Sequence, residues 1–268
     1  MPALRDLRYE FIRTPLEQPL IRLRELFARV EQRRHPELAE VHREDARIRS
    51  ILARVLDADS CCVDAGSHYG SILSRFCRLA PRGRHVAFEA IPKKARFLRR
   101  KFPDVDVREG ALAEAPGRVK FFLNRTATGY SGLARHGQGE FEELEVACWR
   151  LDDVVPRDRR FDFVKLDVEG AELMVLRGAR EFLGRDRPTV LFECAPSGPP
   201  MFGYAPGEIH ALFESLGYGV FRLRDVAPSG RPVGRADFER ALVYPFQAFN
   251  WLAIPDERAA EVTSRRRP

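Results

Sequence analysis

Apolar and polar positions alternate along this chain in short runs, and the runs change period from segment to segment. From Leu23 the apolar positions Leu26, Phe27 and Val30 follow a helical stripe that His35–Pro36 ends. A second helical pattern runs from about Glu37 to Leu56. A βα rhythm then begins. Cys61 to Asp64, His85 to Glu89 and Val105 to Arg108 predict strands, with helices over Ser71 to Leu79 and Pro92 to Lys101 between them. Pro92 suits a first helical turn, where its missing N–H is not needed. Val119 to Leu123 and Leu144 to Cys148 predict further short strands around NRTATGYSGLARHGQG, a loop long enough to suggest function. Phe161 to Asp167 predicts a fourth main strand, followed by a helix from about Ala171. Thr189 to Glu193 is another strand ending in an acid, and Ala195 to Ala205 is rich in Pro and Gly. Glu208 to Leu216 predicts a helix stopped by Gly217, and Gly219 to Leu223 and Phe249 to Ile254 predict closing strands.

This order predicts an α/β fold, Rossmann-like and three-layered, with a mostly parallel sheet covered by helices on both faces. Residues 1–56 form an N-terminal helical extension, 57–256 the α/β domain, and 257–268 a basic tail expected to fray. The extension could cap a substrate, pack a homo-oligomer interface or cover the first strand.

Composition narrows the class. No apolar run approaches the roughly 18 residues of a membrane span, and the N-terminus lacks the apolar region of a signal peptide. The five cysteines have no CxxC spacing, so they read as reduced core residues of a cytoplasmic protein with no metal site. Cys61 and Cys62 are neighbours in a strand and face opposite ways. The net charge is +6, with arginine runs at 33–34 and 265–267, yet the basic residues are dispersed among 39 acids. Nucleic acid is therefore not the expected partner.

The candidate chemistry lies where strands end. In FDFVKLDVEGAE, Phe161 to Glu172, an apolar strand runs into acids and turns at Gly170 into a helix. Lys165, Asp167 and Glu169 share a period of two and point to one side of an extended chain, Leu166 and Val168 to the other. A strand that ends in charge at its carboxyl end is how an open α/β sheet builds a ligand crevice. VDAGSHYG, Val63 to Gly70, occupies the first strand-to-helix turn. Gly66 and Gly70 allow close backbone approach, and the spacing is not the GxGxxG of a dinucleotide loop. Asp64 before that turn favours a ligand with an ammonium group. Glu89 closes the second strand, where an acid can accept both hydrogen bonds of a ribose diol. A cation at one end and an unphosphorylated ribose at the other describe S-adenosylmethionine.

VDAGSHYGS, HVAFEAIP, GALAEAPGRVKFF, YSGL, LDDV, FDFVKLDVEGAELMVLRGA and VLFE, in that order from Cys61 to Glu193, resemble the FkbM family of class I S-adenosylmethionine-dependent methyltransferases. The resemblance implies a seven-stranded sheet with one antiparallel strand and O-methylation of a hydroxyl on a sugar, glycan or polyketide-like small molecule. It implies that Asp64, Gly66 and Gly70 form the methionine-side loop, that Glu89 holds the ribose, and that Gly110 and Ala111 meet the adenine edge. Asp167 would face the amino group or the methyl-transfer zone. Ser67 and His68 replace the Ala-Asn pair more usual in the family turn, which places a titratable imidazole beside the cofactor.

Methyl transfer to a hydroxyl needs a base, and Asp167, Glu169 and His68 are the candidates. Each has a plainer role. Glu169 and Glu172 can offset a helix dipole, Lys165 can neutralise the acids, and His68 can bond within its loop. Tyr130, Ser131 and His136 in the long loop could close over substrate, and Glu193 could reach the crevice. The alternative functions are an RNA methyltransferase or a non-catalytic cofactor-binding partner in a biosynthetic cluster.

Overall fold

In the computed structural model, which describes residues 7–17, 19–20, 36–135 and 137–264, seven strands form one sheet. The expected stripe over Leu23 to Val30, His136 and both arginine runs lie outside these residues. Ten strands are numbered in chain order: β1 Cys62–Ala65, β2 Val86–Glu89, β3 Asp106–Glu109, β4 Ala111–Leu112, β5 Gly117–Asn124, β6 Phe141–Trp149, β7 Phe163–Leu166, β8 Thr189–Glu193, β9 Tyr218–Arg222 and β10 Asn250–Pro255. The main sheet runs β3-β2-β1-β7-β8-β10-β9, and β10 is antiparallel to both its neighbours while the other pairs are parallel. This is the expected seven-stranded, mostly parallel sheet.

The longer helices are α1 Glu44–Val55, α2 Ser71–Leu79, α3 Pro92–Lys101, α4 Glu172–Arg177, α5 Arg180–Asp186, α6 Pro206–Ser215, α7 Arg235–Ala241 and α8 Ala259–Ser264. They cover both faces. Side chains alternate across each strand, so Cys62 joins one apolar layer with Leu73, Phe76 and Phe163, while Val63 joins the other with Phe88, Leu166 and Leu173. Ile51, Leu52 and Val55 of α1 pack in the first of these layers. Glu44, buried at the start of α1, accepts N–H bonds from Phe249 and Asn250, so this helix is bolted to the sheet at β10. Among the described residues, no helix is long and apolar enough to cross a membrane.

Several boundaries differ from the sequence reading, each for a contact that pattern cannot show. β7 starts at Phe163 because Phe161 donates its N–H to the Asp186 carboxylate, outside the sheet. β7 ends at Leu166 because its partner β1 ends at Ala65. The helix after Gly170 is two helices, α4 and α5, divided at Gly178, whose backbone lies against Ala113: a Cβ there would stand 2.4 Å from that carbonyl oxygen. The pattern from Glu37 is a short turn and a broken helix rather than one rod. α7 and the two-residue β4 were not expected. The tail does not fray from 257: α8 buries Val262 and Thr263, and Arg187 pairs with Glu257 at 2.6 Å.

β5 and β6 form an antiparallel hairpin in register from Gly117↔Cys148 to Asn124↔Phe141, with β4 added alongside β6. The long loop is the tip of this hairpin. Asn124 is fully buried and organises it: its Oδ1 accepts the N–H groups of Thr126 and Ala127, and its Nδ2 donates to Gln138.

Candidate functional site

β2, β1 and β7 lie side by side, and each delivers an acid near its carboxyl end: Glu89, Asp64 and Asp167. The connection order reverses at β1, which is where open α/β sheets form a crevice. A cavity of about 330 Å³ opens there. Asp64, Gly66, Ser67, His68, Glu89, Gly110, Ala111, Asp167 and Glu169 all line it. Gly70 does not. Its positive φ of 81° carries the chain into α2, and a Cβ there would stand 2.6 Å from Phe102, so Gly70 is a packing residue behind the turn and not a cavity residue.

Gly66 is required by the turn. Its φ is 79°, and a Cβ would stand 1.8 Å from the Asp167 carbonyl oxygen. Gly66 and Ser67 both donate their N–H groups to the Phe88 carbonyl, which ties the turn to β2. Gly66→Ala is expected to lower stability by roughly 3 kcal/mol, through the backbone strain and the displaced β7 end. Thermal unfolding of the variant measures this.

Asp64 is 1% exposed, and neither carboxylate oxygen has a hydrogen-bond partner among the described residues. The Ser67 hydroxyl donates to its backbone carbonyl instead. Burial pushes the Asp64 pKa up to about 6; Lys165 pulls it down, Asp167 repels it further upward, and the Ser67 hydroxyl and the Leu73 N–H draw it down to a smaller degree. A buried carboxylate served by so few donors is costly unless a ligand adds one. Its chemistry fits an ammonium group.

Glu89 already does structural work. Its two oxygens accept the N–H groups of His68 and Ile91, both at 2.8 Å, so it holds the turn and the start of α3. An ionised carboxylate has about four acceptor sites, so two remain for a diol. Burial raises its pKa against the pull of Lys94.

Lys165 spans the two loops, 2.8 Å from Asp167 Oδ2 and donating to the Gly66 carbonyl at 3.1 Å. Burial acts to raise the Asp167 pKa, but Lys165 and a hydrogen bond from Glu193 outweigh it and hold it below the usual carboxylate range. Burial and the neighbouring Asp167 drive the Glu193 pKa well upward. Asp167 is therefore a fixed negative charge, ill suited to collecting a proton.

Glu169 differs. The alternation expected of Lys165, Asp167 and Glu169 ends at Asp167, since Glu169 turns into the left-handed region at φ 56° and Val168 lines the cavity as well. Burial, then Asp167 and Glu172, push the Glu169 pKa up to about 8. The hairpin tip covers it: a Cβ on Gly132 would stand 3.3 Å from Glu169 Cβ. Glu172 is the turn-holding acid, accepting the N–H groups of Val168 at 3.0 Å and Gly170 at 3.3 Å, and burial lifts its pKa to about 7.

His68 sits at φ 52° with its ring edge-on to Tyr69 and Tyr9 and its Nε2 3.3 Å from Thr128 Oγ1. Ser131 lines the cavity and donates to the Thr128 carbonyl, whereas Tyr130 is half exposed. Sequence reasoning missed Tyr9, Lys94 and Thr128. Lys94 is 2% exposed, donates to the Thr128 carbonyl at 2.9 Å and lies 5.4 Å from the Tyr69 ring centre. One signal for it existed: lysine in the first turn of a helix opposes the dipole, and a residue so placed has another partner. Among the described residues, no group of three His, Cys, Asp or Glu side chains is placed to hold a metal ion.

Comparison with known proteins adds a family. Residues 64–220, more than half of the chain, match the sequence model described as the methyltransferase FkbM domain. A Sinorhizobium fredii protein named 2-O-methyltransferase NoeI is 28% identical over 158 residues, which cover 52% of this chain and 65% of that protein, a little under two thirds of its length. Similar solved structures include methyltransferase FkbM from Methylobacillus flagellatus, 16% identical with a TM-score of 0.46 over 74% of this chain and 44% of that one. Another is a TehB-like SAM-dependent methyltransferase from Corynebacterium glutamicum, 10% identical with a TM-score of 0.42 over 77% and 85% of the two chains.

Proposed function

The chain belongs to the FkbM methyltransferase family, and from that premise we propose that it transfers a methyl group from S-adenosylmethionine to a hydroxyl of a sugar, glycan or polyketide-like small molecule. One observation carries the reading: the buried Asp64 carboxylate, its burial not offset by protein donors, borders the same cavity as Glu89. When bound, the cofactor supplies an electrophilic methyl group on a sulfonium centre. Asp64 accepts its ammonium group, and the Gly66 turn lets the backbone come close. Glu89 uses its remaining acceptor sites for the ribose diol. Gly110 and Ala111 border the adenine end.

Glu169 is the base. A group with a pKa near the working pH exchanges protons most effectively, and its pKa of about 8 suits that task better than the depressed Asp167. Asp167 and Lys165 keep their opposite charges fixed beside the β1 turn. Glu169 accepts the proton that the acceptor hydroxyl loses, beneath the hairpin tip at Gly132. The name of the Sinorhizobium relative, a 2-O-methyltransferase, favours oxygen as the acceptor atom. Exposed arginines pair with acids, as in Arg118–Glu145 and Arg157–Glu181, which favours a small-molecule acceptor over RNA.

Glu89→Gln is expected to weaken S-adenosylmethionine binding at least about tenfold, because an amide loses acceptor sites and presents a donor to the N–H groups it faces. A fluorescence titration measures this, and unchanged affinity would remove the ribose role. The acceptor is tested by turnover with methyl-labelled cofactor over glycan, polyketide and RNA extracts, followed by product mass. Label in an O-linked methyl of a glycan or polyketide-like product supports the proposal. Label in RNA would favour an RNA methyltransferase, and cofactor binding without any labelled product would favour a non-catalytic partner.

A further inference from the structure

We propose that residues 7–17 form a fixed wall of the cofactor cavity, in which Tyr9 shields the amino-acid end of bound S-adenosylmethionine from water. This rests on the reading of the cavity as an S-adenosylmethionine site. The segment lies outside the part of the chain that matches the family. Tyr9 nevertheless lines the same cavity as Asp64, His68, Ser71 and Ile72. Its ring stacks on Tyr69 with centres 4.4 Å apart and planes 18° apart, and it meets the His68 ring edge-on at 5.3 Å. Tyr9 therefore rests on the turn that follows Asp64.

The segment is clamped on the two helices that flank this turn. On α2, the Ser74 hydroxyl donates to Glu17 Oε1 at 2.8 Å. On α3, Lys101 Nζ donates to the Glu10 carbonyl at 2.6 Å, and Arg13 donates to the Lys101 carbonyl at 3.2 Å. Arg13 also lies 5.4 Å from the Phe102 ring centre, and Ile12 is buried in the adjoining apolar layer. Contacts spread over both helices make a preformed wall rather than a trailing end.

Its physical effect is on Asp64. Charge attraction strengthens as water is excluded, and a shielded ion pair is screened little by salt. The other charged groups that line the cavity are Lys165 and Asp167 beside β1, Glu89 on β2, Lys94 on α3, and Glu169. All of these, and His68 in the turn itself, remain when Tyr9 is truncated, so that change isolates the shielding.

The test is calorimetric titration of S-adenosylmethionine into the full chain and its Tyr9→Ala, Tyr9→Phe and Asp64→Asn variants at low and high sodium chloride. Tyr9→Ala is expected to bind about tenfold more weakly, with a steeper loss of affinity as salt rises, while Tyr9→Phe stays near the unsubstituted protein. A purely structural role would not steepen the salt dependence. Unchanged affinity and salt dependence in Tyr9→Ala, with Asp64→Asn still losing binding, would overturn the wall and leave the cofactor site standing. Full binding in both Tyr9→Ala and Asp64→Asn would overturn both. If Tyr9→Ala does not fold, Glu17→Gln, which weakens the anchor on Ser74, replaces it: reduced, salt-sensitive binding supports the wall, and unchanged binding overturns it.

Discussion

Asp64→Asn is expected to make the unliganded protein more stable and to remove its affinity for S-adenosylmethionine. Both effects follow from one feature, a buried carboxylate whose donors do not offset its burial. Its pKa of about 6 lies above the ordinary 3.8, so the folded state holds a proton more tightly than the unfolded chain. Stability from this group is therefore fully present below about pH 4 and is lost as pH rises through about 6. At neutral pH the penalty is on the order of 3 kcal/mol. An asparagine of similar shape escapes the charge penalty, so the variant should melt several degrees higher at pH 7 and show little difference near pH 4. The gain comes with a loss. Without the carboxylate, an ammonium group brought into the cavity has lost its charge partner, which costs about 2–5 kcal/mol, or roughly 30-fold to several thousand-fold in affinity. Thermal unfolding at the two pH values and a binding titration on the same sample check the pair of effects. A variant that gains neither stability nor loses affinity would mean that Asp64 is satisfied by the protein itself.

Glu169→Gln is expected to lower turnover by about 100-fold or more while leaving cofactor affinity within a few-fold. In the unsubstituted protein, only the deprotonated carboxylate can act, so the logarithm of the rate should rise with pH and level off above about 8. That rise should disappear in Glu169→Gln. Asp167→Asn removes the charge that, after burial, does most to raise the Glu169 pKa, so its rise should shift toward acid. His68→Ala should keep the rise, since its imidazole is engaged with Tyr9, Tyr69 and Thr128. Rate profiles of the three variants separate the base from its neighbours. A profile for Glu169→Gln that still rises to pH 8 would assign the proton to another group.

The strand-end acids are legible in the sequence because period-two burial and the βα rhythm determine them locally. Asp64, Glu89 and Asp167 need only a parallel order of β2, β1 and β7 to converge. The roles within the acid group are not legible, because they depend on contacts across the sheet. Glu193 and Asp167 look alike in sequence, yet their pKa values are driven in opposite directions, up for Glu193 and down for Asp167, as Lys165 faces Asp167. Glu169 and Glu172 both read as acids at a helix start; only the N–H bonds from Val168 and Gly170 mark Glu172 as the turn holder. Gly70 follows the glycine pattern of a binding loop, but Leu98 and Phe102, from a distant helix, decide its role. Tyr9 is the extreme case. Nothing local distinguishes it from a surface tyrosine, and its place in the cavity comes from α2 and α3, some 60 to 90 residues away.

Calorimetric titration of S-adenosylmethionine at pH 6, in buffers of different ionisation enthalpy, tests the assignment of the cavity most directly. Near its pKa the Asp64 carboxyl is partly protonated, and pairing with an ammonium group requires the ionised form. Saturable binding with release of a fraction of a proton is expected, with loss of both the binding and the Asp64 proton release in Asp64→Asn. Equal affinity and equal proton release in the two proteins would contradict that assignment.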